Sequence, residues 1–170
     1  MGFTLRRIVL EPRRFFEHMS PAESATHALS WAALCGALGW GLALAIAVGA
    51  VATEGWELLV LVALALPLFC VYRAALVAGL WWAALRLVGD QTPYRVLLRV
   101  AGYGYTADLF VPLGGVGLLV GVVWHAIGLR LQVRISPLAA GSLAFVPLVL
   151  TQLLLIGLVA VYLAVSGRPL

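Results

Sequence analysis

Residues 28–52 carry no charged side chain. A helix of about 20 apolar residues crosses the hydrocarbon core of a bilayer, so this run alone is long enough. Further apolar runs follow at about 58–87, 93–111, 113–131 and 138–165. The second is broken by Pro67 and Arg73 and carries Arg86 at its end, and the last holds Pro147 and Gln152. Of the 170 residues, 64% are hydrophobic and 11% charged, where an average soluble domain has about 25% charged residues. Too little polar surface remains to coat a globule in water. The expected fold is an all-α integral membrane domain, residues 1–170, with five transmembrane helices.

Three of these runs open on a hydroxyl followed by proline: Ser20-Pro21, Thr92-Pro93 and Ser136-Pro137. This places an N-cap oxygen before a proline at the first helical position. Glu23, three residues after Ser20, adds a capping box. In a five-span chain these three helices start on one side of the membrane. The charges agree. Arg6, Arg7, Arg13, Arg14, Arg86, Arg95, Arg99, Arg130 and Arg134 fall on that side, while Glu54, Glu57 and Arg168 fall on the other. The positive-inside rule then puts the N-terminus in the cytoplasm and the C-terminus outside. Trp31, Trp81 and Trp82 fall near the inner interface and Trp56 near the outer one, as an aromatic belt predicts.

Residues 3–20 read differently. Leu5, Ile8, Val9, Phe15, Phe16 and Met19 share one helical face, and Arg6, Arg7, Glu11, Arg13, Arg14 and Glu17 take the rest. The pattern predicts a short amphipathic helix in the headgroup plane, split at Pro12. Its arginines, Arg6, Arg7, Arg13 and Arg14, are the expected lipid-headgroup contacts. The net charge of +4 comes from arginine, with no lysine. Because the arginines sit at span ends, the expected partner is an anionic bilayer and not nucleic acid. Cys35 and Cys70 lie inside apolar runs and read as small buried hydrophobes.

The candidate polar cluster is Arg73, Asp108 and His125, with Tyr103 and Tyr105. A carboxylate at bilayer depth is costly and marks a functional or structural site. Asp108 is expected to take hydroxyls from the two tyrosines, and Arg73 to pair with Asp108 or reach His125. His125 stands alone as a core histidine, with His18 and His27 elsewhere, so no metal site is expected. Ala33, Ala37, Gly41, Ala45 and Gly49 recur every four residues and form an expected helix-packing stripe. Ala75, Gly79 and Ala83 repeat it, as do Gly117 and Gly121. Such a stripe serves either the bundle itself or self-association. Signatures of zinc peptidases, serine hydrolases and phosphate loops are missing, so no enzymatic activity and no cofactor are expected.

Two segments resemble a known family. "LEPRRFFEHM" is similar to the cytoplasmic P-x-x-F-F lead-in of the Yip family, the Ypt/Rab-interacting multi-spanning membrane proteins. "RVAGYGYTADLFVPLGGVGLLVGVVWHAIGLRLQVRISPLAA" resembles that family's later spans: an Arg-led helix with a Gly-Tyr motif, a proline, a Gly-rich span with a central Trp, then a short basic turn. The resemblance implies a five-span, non-enzymatic scaffold or organiser of membrane and partner proteins. Thr106, Ala107 and Asp108 stand where the family has a proline, and the N-terminal arm is short, so GTPase binding does not carry over. The all-arginine, Ala/Leu/Val/Gly-rich composition points to a bacterial gene and an inner-membrane location. Two other functions remain open: a small transporter or proton-coupled channel using Asp108, Arg73 and His125, and an accessory subunit of a larger membrane complex, docked through the residue 33–49 stripe.

Overall fold

The computed structural model describes residues 2–20, 23–49 and 56–166. Glu54 and Arg168 lie outside the described residues, as do the side chains of Trp56 and Glu57 and the surroundings of Gly49. The described residues are helical, with no strand among them. In order they form α1 (Gly2–Leu10), α2 (Pro12–Glu17), α3 (Ala25–Gly49), α4 (Trp56–Leu87), α5 (Tyr94–Gly104), a 3-10 helix (Tyr105–Leu113), α6 (Gly115–Val133) and α7 (Pro137–Ser166).

The amphipathic stretch does split at Pro12, which opens α2. Its apolar face, however, is spent on the protein. Ile8 and Phe16 are fully buried, and Leu5, Val9 and Phe15 pack against the core. Phe16 lies over Gly128 of α6, where an added Cβ would sit 3.1 Å from its ring. Gln132 Nε2 donates to the Phe16 carbonyl at 2.5 Å, and the Phe15 ring stands edge-on to Tyr103 at 5.0 Å. Such contacts fasten α2 across the end of the bundle, with Arg6, Arg7, Arg13 and Arg14 outward and exposed.

The helix starts differ from one another. Ser136 Oγ accepts from the Ala139 amide at 3.2 Å and α7 opens on Pro137, as the hydroxyl-proline pattern predicts. α3 opens later than expected, at Ala25, with Ser24 Oγ accepting from Thr26. Thr92 does not cap α5. Its own amide donates to Asp90 Oδ1 at 2.6 Å, leaving Pro93 at the cap without a side-chain bond. The hydroxyl and amide of Thr92 hold the Asp90 carboxyl below its usual range.

Residues 93–111 are not one α-helix. α5 ends at Gly104, and nine residues of 3-10 helix carry the chain on to Leu113. Runs of 3-10 helix beyond three or four residues are uncommon and often mark strain or function. Pro112 lies inside the run. Gly114, at φ 63° and ψ −128°, then turns the chain into α6 in a conformation reserved for glycine. At about 1.5 Å and 2.0 Å of rise per residue, the two pieces together reach about 34 Å. The composite helix is central: it packs against α3, α4 and α6, while α6 also packs against α7 and α2.

Two helical stretches among the described residues, 64–87 and 115–133, are long and apolar enough to cross a membrane. The bundle's outer surface is apolar too: Leu64, Leu68 and Leu138 are 71%, 74% and 83% exposed. The expected tryptophan belt is only partly present. Trp82 is 40% exposed, but Trp31 and Trp81 are buried. They donate inward, Trp31 Nε1 to Thr106 Oγ1 at 2.7 Å and Trp81 Nε1 to the Leu143 carbonyl at 2.5 Å. The second bond has a clear cause. Leu143 is four residues before Pro147, which has no amide to give it, and the indole supplies the missing donor.

The residue 33–45 part of the small-residue stripe does not make the closest contacts of α3 within the bundle. A Cβ added at Gly41 or Gly79 would meet nothing within 4 Å, and Ala45 is exposed. Contact is made instead by Ala28, Ala32, Cys35, Gly36 and Gly39. A Cβ at Gly39 would overlap the Asp108 carbonyl, and one at Gly36 would overlap the Cys70 side chain. Gly117 does serve packing, against the Phe110 backbone at 2.9 Å from a built Cβ.

Candidate functional site

The 3-10 segment brings Asp108 to Arg73. From the Leu87 end of α4, Arg73 is about 21 Å along the helix axis. From Tyr94, Asp108 is about 22 Å along α5 and the first 3-10 turn. The two residues therefore meet at the same level, and Arg73 Nη1 donates to Asp108 Oδ2 at 3.2 Å. Both are buried, at 4% and 5% exposure.

Aromatic rings enclose the guanidinium. Its Cζ lies 4.5 Å from the Tyr105 ring centroid and 5.8 Å from that of Trp40. Tyr105 also meets His125, edge-on at 5.0 Å, and His125 meets Trp81 at 5.5 Å. The pile runs from α4 through the 3-10 helix to α6 and back to α4. Arg73 does not pair with His125; both meet the Tyr105 ring. His125 Nδ1 instead bonds the Gly121 carbonyl one turn back, at 2.7 Å. Gly104 makes room for this imidazole: a Cβ there would lie 2.5 Å from the ring. Gly102 does the same for α3, whose Ala28 carbonyl would be 2.6 Å away.

The Gly-Tyr motif thus splits its two tyrosines between two sites. Tyr105 joins the ion pair. Neither tyrosine gives its hydroxyl to Asp108, contrary to expectation: Tyr105 presents its ring to the guanidinium instead, and a different site takes Tyr103. Its hydroxyl donates to Glu23 Oε1 at 2.5 Å and accepts from His27 Nδ1 at 2.8 Å. Arg99, a turn earlier, donates to the Ser20 and Glu23 carbonyls at 2.7 and 3.2 Å. This second cluster ties α5 to the segment entering α3.

A cavity of about 20 Å³ lies beside the pair, lined by Arg73, Tyr105, Asp108, His125 and Gln152 among others. That is room for roughly one water, which needs about 10–15 Å³. Among the described residues, Arg73 Nε, the Tyr105 hydroxyl and His125 Nε2 have no hydrogen-bond partner, so a water there would have partners. No group of three or more metal-ligating side chains occurs among the described residues. Cys35 and Cys70 are buried thiols, not a disulfide. Sequence reasoning missed Trp40, Thr106 and Trp81. Pro147 was the one available signal, since a proline in a helix calls for an outside donor to the carbonyl four residues earlier.

The arrangement is an all-α bundle locked by a buried guanidinium–carboxylate pair. No family model, curated protein or solved structure matches this chain.

Proposed function

We propose that this chain is a five-span, non-enzymatic protein of a bacterial inner membrane, a Yip-like organiser of the bilayer and of partner proteins. Its N-terminus and arginine-rich end lie in the cytoplasm. The observation that carries this reading is the closed ion pair. A transport site needs a charge that solute or proton can reach and leave. Here Asp108 is 5% exposed, its charge is met by Arg73 at 3.2 Å, and the adjoining space is about 20 Å³. A pair of this kind fixes which helices meet and in what register. The α1–α2 arm folded on α6 leaves Arg6, Arg7, Arg13 and Arg14 exposed, a basic end suited to anionic lipid and to the cytoplasmic ends of other membrane proteins.

The test is flux. The full chain in vesicles loaded with a pH-sensitive dye is expected to leak protons no faster than empty vesicles under an imposed gradient. Crosslinking in native membranes is expected to trap a second protein, or a second copy, at the arginine-rich end. Proton flux that Asp108→Asn abolishes, in a variant that stays folded, would replace this reading with the transporter.

A further inference from the structure

Two cavities at the arginine-rich end share a wall. The first, about 350 Å³, lies between α2 and the end of α6 and is lined by Arg13, Arg130 and Arg134 with Ile127, Leu131 and Ile135. It has no acidic side chain in its lining. Arg13 is paired with Glu17 at 2.8 Å. Arg130 and Arg134 make no ion pair or side-chain hydrogen bond with any described residue. Arg134 holds a left-handed backbone at φ 61°, and no other described non-glycine residue has positive φ. This conformation ends α6 while Arg134 still lines the cavity with Arg130.

The second cavity, about 550 Å³, is a groove between α4 and α7. Leu80, Leu85 and Val88 face Leu143 and Leu150 across it, and Ile135 closes the end nearest the arginines. Ser142 is its one polar side chain. The α7 wall from Ala139 to Leu150 is about 16 Å long. A basic mouth therefore opens beside a long apolar slot, with Ile135 common to both.

We propose that this cleft binds one anionic glycerophospholipid. Its phosphate lies between Arg130 and Arg134 with Arg13 at the rim, and one acyl chain lies along the α4–α7 groove. The proposal rests on the membrane reading above and goes further by naming the site and the lipid class. Charge complementarity selects the occupant. Two unpaired guanidiniums and a third at the edge call for an anion, and the groove beyond them calls for a hydrocarbon chain attached to it. Inorganic phosphate satisfies the first need alone. A zwitterionic lipid satisfies the second and brings an ammonium to the arginines. An apolar partner helix leaves both arginines without a counter-charge.

The experiment uses the full chain in detergent micelles, titrated with dioleoylphosphatidylglycerol or dioleoylphosphatidylcholine and read by native mass spectrometry. One phosphatidylglycerol is expected to bind in preference to phosphatidylcholine. Loss of each guanidinium near a lipid surface weakens binding about 5-fold. The double variant Arg130→Gln with Arg134→Gln is therefore expected to bind phosphatidylglycerol about 25-fold more weakly, with phosphatidylcholine unchanged. Ala139→Phe, at an exposed position in the groove wall, is expected to weaken phosphatidylglycerol while sparing inorganic phosphate. Equal affinity for the two lipids overturns the proposal. So does an undiminished affinity in the double arginine variant. So does displacement by millimolar phosphate with no effect of Ala139→Phe, which marks a phosphate site only. Carbonate washing of membranes separates the two claims. A chain retained in the pellet that shows any of these results loses the lipid site and keeps the membrane reading, whereas a chain released into the wash overturns both.

Discussion

Asp108→Asn keeps the shape of the side chain and removes its charge. Arg73 is then left with 4% of its surface exposed and no counter-charge. At 3.2 Å and an effective dielectric of about 20, the lost attraction is about 5 kcal/mol. Desolvation of both ions offsets much of that in the native pair. It does not offset the cost of stranding one of them, which is about 3–5 kcal/mol where buried pairs have been broken. Asp108→Asn and Arg73→Met are each expected to destabilise the bundle by that amount. The double variant is expected to cost no more than either single one, because it strands no charge. The assay is denaturant unfolding in micelles followed by tryptophan fluorescence, with the coupling taken from the cycle. A cost below about 1 kcal/mol for Asp108→Asn, with additive effects in the double variant, would refute the claim that this pair locks the bundle.

Gly39→Ala is expected to cost about 1–3 kcal/mol by overpacking against the Asp108 backbone, whereas Gly41→Ala is neutral or stabilising by up to about 1 kcal/mol; equal effects in thermal unfolding would contradict the contact face assigned to α3. Trp81→Phe strips the Leu143 carbonyl of its donor, for about 1–3 kcal/mol. Adding Pro147→Ala is expected to recover part of that loss, since alanine at 147 restores the backbone amide; a purely additive double variant speaks against the cap. Phe16→Ala removes the anchor of α2, and trypsin is then expected to cut after Arg13 and Arg14 faster than in the parent, with an unchanged digestion rate counting against the docked arm.

The existence of the long helices was legible because apolar runs of that length have few other uses. Their faces were not. A helix that is apolar all round has no polar stripe to mark its outer side, and so nothing to single out its inner one. In α3, Ala33, Ala37 and Gly41 make as regular a series as Ala28, Ala32, Cys35 and Gly39, and only the second is buried. The break at Tyr105 was equally silent, since Tyr, Thr, Ala and Asp fit either helix type at similar cost. It matters because the greater rise of the 3-10 turns helps set the level at which Asp108 meets Arg73. The polar residues themselves were easy to single out, because each is an anomaly in its run. Their pairing depended on depth, which sequence spacing gives only when the helix type is known. Tyr103 shows the limit: two residues from Tyr105, it turns to the opposite end of the site and bonds Glu23 and His27.

The central claim is an odd number of crossings, with the turns at Asp90 and Arg134 on the side of the N-terminus and the turn at Gly114 on the other. Cys35 and Cys70 are both buried, so a single introduced thiol reports without a large background. Asp90→Cys, Arg134→Cys and Gly115→Cys, the last at an exposed position with open space for a side chain, each in the full chain in sealed inner-membrane vesicles of known orientation, are to be labelled with a membrane-impermeant maleimide. Labelling of positions 90 and 134 from the cytoplasmic face and of 115 from the opposite face only is the predicted result. Labelling of all three from one face would contradict the account.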